Sequence, residues 1–123
     1  MMYLLIINTI IYIYSSLYRR NMKRKYLLCG LIQDHHIIPR QLRNKINYEN
    51  SKLIDNIDSS NNLIMLPTRY GNLFLNTNRS IHENGHKYYN QYINSLIQQG
   101  YSIDYIILFV RKQLRNGDVK ILI

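Results

Sequence analysis

The longest apolar pattern lies at the start of the chain. Residues 2–18, MYLLIINTIIYIYSSLY, carry no charge and run into Arg19, Arg20, Lys23, Arg24 and Lys25. A bilayer span needs about 20 mostly apolar residues, and this stretch is shorter and broken by Asn8, Thr9, Ser15 and Ser16. Three readings stay open: a membrane anchor with the basic cluster kept on the cytoplasmic side, a buried strand or hairpin rich in Ile and Tyr, or an upstream extension with Met22 as the true start. Positive charge that follows the apolar stretch, instead of preceding it, argues against a secretory signal.

Further along, Tyr26 to Leu31 is a short apolar run that predicts a strand delivering Asp34, His35 and His36 at its end, with Pro39 as the stop. Residues 40–58 read as helix or irregular connection, with Leu42, Ile46, Leu53, Ile54 and Ile57 at loosely helical intervals. The turn signal Ser59-Ser60-Asn61-Asn62 precedes a second short strand, Leu63 to Leu66, closed by Pro67. Residues 68–80 read as loop. A helix is expected from about His82 to Gln99, where Tyr89, Tyr92, Ile93, Leu96 and Ile97 make one apolar stripe and Gly100 is the stop. Another begins at Ser102 as cap and ends before Gly117, with Asp104 near its start and Arg111, Lys112 and Arg115 near its end. DVKILI predicts a final edge strand. The chain thus divides into an apolar then basic segment, 1–25, a core over 26–100, and a C-terminal helix and tail, 101–123.

Composition narrows the function classes. At 123 residues and 46% apolar, the chain has material for one domain with one core. Its formal charge of +9 attracts polyanions, nucleic acid or anionic membrane. The single Cys29 excludes an intramolecular disulfide and a multi-cysteine zinc site, so a metal must rest on histidine and oxygen.

The four histidines form two close pairs, His35-His36 in DHHIIPR and His82/His86 in IHENGHKYY, with NNLIMLP between them. On a helix the second pair would project from one face, and one metal ion can gather such a set. Neighbours on a strand face opposite ways, so His35 and His36 are expected to do different things. A structural zinc held by all four is the competing reading. Hydrolysis of a phosphodiester needs an activated water, neutralised phosphate charge and help for the leaving oxygen; one divalent cation and one imidazole suffice. Three imidazoles suit zinc, nickel or manganese more than magnesium. Arg40, Arg79 and Lys87 flank the histidines and are candidates for backbone phosphates.

The order strand with His-His, strand after Asn, helix with H-x-x-x-H is a ββα arrangement. Over roughly residues 30–95 the chain resembles nucleases of the HNH/endonuclease VII superfamily, especially the branch with an Ala-His-His signature. HHIIP, NLIMLP and IHENGHKYYNQYI carry that resemblance. It implies an α+β fold, a small ββα-metal (His-Me finger) nuclease core with flanking helices. It implies metal ligands His35, His82 and His86, a general base His36, and an Asn62 that steadies the loop holding the base. Asp34 stands where the branch has Ala or Gly; it is expected to orient an imidazole from behind or to be a solvated turn carboxylate. The function implied is a metal-dependent endonuclease acting inside the cell on nucleic acid, DNA ahead of RNA, with one divalent ion (Mg, Mn, Zn or Ni). The alternative is a non-catalytic nucleic-acid-binding protein that keeps the fold, tethered to membrane if residues 2–18 insert.

Overall fold

The run Leu63–Pro67, LIMLP, is buried at every position and forms strand β2. The computed structural model describes residues 16–25, 28–83 and 86–119. β2 pairs antiparallel with β1, Ile32–His36, in a register running from Ile32 opposite Pro67 to His36 opposite Leu63. The first strand is therefore later than the apolar run predicts. Gly30, at φ 80°, supports a turn in which Leu31 and Ile32 both donate to the Leu28 carbonyl, and a strand cannot pass through it. The polar stretch IQDHH takes the ladder instead; pairing uses main-chain groups, and only Ile32 and His35 of β1 are fully buried.

Among the described residues three α-helices flank this sheet: α1, Ser16–Lys25; α2, Lys87–Gln98; and α3, Ile103–Asn116. Together β1, β2 and α2 give the ββα arrangement of an α+β fold. α3 is bounded as expected. Ser102 Oγ accepts from the Tyr105 amide at 3.1 Å, and Gly117 closes the helix in the left-handed region at φ 74°. Its Ile106, Ile107, Val110 and Leu114 pack against Tyr89, Ile93 and Leu96 of α2. Fully burying each such side chain stabilises the fold by about 1.5–3 kcal/mol.

Between the strands the chain makes short 3-10 turns, Arg40–Lys45, Tyr48–Asn50 and Ser60–Asn62, under which Leu42, Ile46, Ile54 and Ile57 reach the core. Asp104, at the start of α3, fixes this connection by accepting from Ser51 Oγ at 2.5 Å and the Lys52 amide at 2.9 Å.

α2 starts later than predicted. The His82 amide donates to the Pro67 carbonyl at 2.7 Å and His82 bridges Thr68, so the chain is extended there and runs beside the end of β2. Glu83, next to His82, pairs with Arg69 at 2.5 Å. Residues 1–15, on which the anchor, strand and extension readings mainly fall, lie outside the described residues; Ser16 to Tyr18 are helical. No helix among the described residues is long and apolar enough to cross a membrane. Of the expected C-terminal strand, Asp118 and Val119 are not in strand and 120–123 lie outside the described residues.

Candidate metal and catalytic site

His35 points inward from β1 and meets His82 from the extended segment and His86 from the position that caps α2. One ligand atom from each lies within 4.8 Å of the others. The ring centroids are 5.2 Å (His35 to His82), 5.6 Å (His35 to His86) and 5.0 Å (His82 to His86) apart. His82 and His86 thus converge without sharing a helix face: His82 is placed by its bridge to Thr68, and His86 by the first turn of α2.

These rings have the chemistry of a metal site. Among the described residues the Nε2 atoms of His35 and His86 are buried without a hydrogen-bond partner, which costs free energy unless something else takes up the lone pair. The His82 Nδ1 donates to the Gln33 side-chain oxygen at 2.7 Å, leaving its Nε2 for a ligand bond. Burial, then the neighbouring His82, His86 and His36, hold His35 well below the ordinary histidine range. Burial and His86 lower His82 to about 4. Neutral imidazoles are what a divalent cation binds.

This has a consequence for the metal-free protein. Between about pH 4 and the unfolded value of about 6.5, His82 binds a proton more readily in the unfolded chain than in the folded one. Its contribution to stability is complete above pH 6.5 and is lost as pH falls through this window; His35 acts in the same direction. Thermal melts of EDTA-treated protein are expected to show Tm falling between pH 7 and pH 4.5. A flat Tm would contradict neutral packing of the cluster.

His36 ends β1 and stands apart from the three. Its Nε2 lies 2.8 Å from Asp58 Oδ1, which also accepts from Arg40 Nε at 3.0 Å. The hydrogen bond from His36, more than those from Arg40, holds the Asp58 carboxyl below its usual range. The chain on either side of this pair is tied by Asn62, fully buried. Its Oδ1 accepts from the Ile38 amide at 2.8 Å, and its Nδ2 donates to the carbonyls of Ile38 at 3.0 Å and Ile57 at 2.9 Å. Arg111 donates to the carbonyls of Leu63 and Asn61 on either side of it. Beneath, Tyr89 packs its ring 4.6 Å from His35 and donates to the Ile37 carbonyl at 2.5 Å.

Asn62→Ala leaves the Ile38 amide and two carbonyls without their buried partner. Stability is expected to fall by about 3 kcal/mol, and Tm by roughly 10 °C, with slower turnover and unchanged metal affinity. Melting and metal titration check this; a variant that melts with the wild type would remove the tie.

Residues 31–106 match a nuclease family of the HNH/ENDO VII superfamily with a conserved AHH motif. The chain belongs to this family. No curated protein and no solved structure matches it significantly.

In this AHH-family chain the histidines line a groove of about 860 Å³ that continues along α2 past Arg40, Lys45 and Lys87. Arg40 and Lys87 are exposed there. Arg79 is not: it is 6% exposed and its Nη1 donates to the Met65 carbonyl at 2.9 Å, a buried prop for β2, so its expected place among the phosphate contacts is corrected. Asp34 sits in place of the signature alanine. Its Oδ2 lies 3.8 Å from Lys23 Nζ and its Oδ1 is buried without a hydrogen-bond partner among the described residues; the side chains hydrogen-bonded to an imidazole are Gln33, to His82, and Asp58, to His36. Strand alternation points to Gln33, two residues from His35. Nothing in the sequence marks Asp58, which is 22 residues from His36.

Proposed function

We propose that the protein is a metal-dependent endonuclease that hydrolyses phosphodiester bonds, with double-stranded DNA as its first substrate. The observation that carries this is a three-imidazole cluster and a fourth, separately held imidazole on one groove. His35, His82 and His86 would hold one divalent ion. Bound there, the ion supplies Lewis-acid neutralisation of charge on the scissile phosphate and the leaving oxygen.

The chain's own residues do the rest. His36 takes a proton from water as the water oxygen attacks phosphorus; the new P–O bond forms as the bond to the 3′ oxygen breaks, and that oxygen takes a proton from solvent water and leaves as a hydroxyl, while His36 returns its proton to solvent. A neutral imidazole suits the step because its ordinary pKa lies near operating pH. Arg40 and Lys87 hold flanking phosphates without reading sequence. The Lys87 end of α2 adds the partial positive charge of a helix start. Phosphate and sugar contacts of this kind also admit RNA, which is the second substrate to try. The imidazole ligands favour zinc, nickel or manganese, with magnesium the ion to compare.

The test is incubation of the full chain with supercoiled plasmid, or with structured RNA, in EDTA or with magnesium, manganese, nickel or zinc. Nicked circles that form only with metal are the expected result. Folded protein that binds DNA but cleaves neither substrate with any ion would replace this reading by that of a non-catalytic binding protein.

A further inference from the structure

We propose that Asp58 is a positioning residue for His36, holding the ring so that Nδ1 is the nitrogen that faces the reaction. The inference rests on the nuclease reading above and concerns a residue outside every motif. An ionised carboxylate only accepts hydrogen bonds, so at 2.8 Å from Asp58 Oδ1 the His36 Nε2 carries the hydrogen. A neutral ring then has its lone pair on Nδ1. Since His36 lines the groove beside His35, fixing the tautomer and the ring plane together presents a ready base.

Asp58 is itself held in place. Its amide donates to Asn56 Oδ1 at 2.8 Å, and the turn before it is closed by Ser59 Oγ, which donates to Asp55 Oδ1 at 2.6 Å and accepts from the amides of Asp55 and Asn56. One residue earlier, the Ile57 carbonyl accepts from Asn62, whose side chain also pairs with both main-chain groups of Ile38. Asn62 therefore clamps the segment after His36 to the segment before Asp58 and sets the distance between base and carboxylate. Arg40 shares the same Oδ1 through Nε and Nη2, both at 3.0 Å. This keeps the carboxylate ionised and aimed, and connects it to a residue that reaches the substrate.

The experiment compares the full chain with its Asp58→Ala, Asp58→Glu and Arg40→Ala variants in plasmid cleavage at saturating metal. It adds 15N NMR of the His36 ring in the metal-free protein. Asp58→Ala is expected to lose roughly 10- to 100-fold in kcat, part of the ~10²–10⁴ that a general base supplies, with KM and metal affinity near wild type. Asp58→Glu recovers part of the loss, and Arg40→Ala moves mainly KM. The wild-type ring carries its hydrogen on Nε2, protected from exchange, and Asp58→Ala loses that protection. An unchanged kcat in Asp58→Ala, a loss confined to KM, or a wild-type hydrogen on Nδ1 would each overturn the assignment. If the wild type cleaves nothing, the nuclease reading fails on its own, and the NMR result alone decides whether Asp58 sets the ring.

Discussion

His36→Ala is expected to cut metal-dependent nicking by roughly 10²–10⁴-fold, the range a general base contributes, while fold and metal uptake stay intact. The separation is expected because His36 stands outside the set of ligand atoms that come within 4.8 Å of one another. Its ring is partly exposed and its side chain reaches Asp58. Truncating it therefore opens no core cavity, and the cost to stability is small. Three measurements on one preparation check this: plasmid nicking, metal titration, and a thermal melt with and without metal. Lost metal affinity with the melt unchanged would exchange the roles of ligand and base. Full activity in the variant would remove His36 from the chemistry.

Adjacent histidines can differ so sharply because a strand turns neighbours to opposite sides. His35 goes under, against Tyr89, and His36 stays at the rim. That opposite facing was legible in the sequence, as were β2, α3 with both its caps, and the presence of a histidine cluster; which three of the four histidines meet came from the resemblance. Each is a local signal: an apolar run bounded by turn residues, a Ser and a Gly at the helix ends, a spacing of histidines. The start of α2 was not legible, since the spacing of four from His82 to His86 imitates a helical turn while a main-chain bond to Pro67 keeps His82 extended. Nor was the fate of Arg79, whose neighbours in sequence are polar but whose guanidinium is drawn under β2 by the Met65 carbonyl. Asp58 was hidden for the same reason. Its partners come from across the fold, and a carboxylate in an Asn- and Ser-rich turn looks solvated until the turn is placed.

The second large effect is on metal. His82→Ala or His86→Ala is expected to lower affinity for the ion at least ~100-fold, because each removes one of three ligand atoms from a site with no fourth histidine in reach. At a metal concentration about 100 times the wild-type Kd, binding to the folded state alone stabilises by about 2.7 kcal/mol, or roughly 10 °C in Tm for a chain of this size. The wild type and His36→Ala should both show that rise and lose it in EDTA. Neither ligand variant should show it, and each should also fail to nick DNA. Removing His82 further frees Gln33 from its 2.7 Å contact, so a Gln33→Ala variant should fall between, with weaker metal binding but a measurable Tm rise. Wild-type-like Tm shifts in either histidine variant would place the ion elsewhere and break the link between the cluster and catalysis. Loss of the shift in the ligand variants, with its retention in His36→Ala, would divide the four histidines three to one, as the distances between their ligand atoms do.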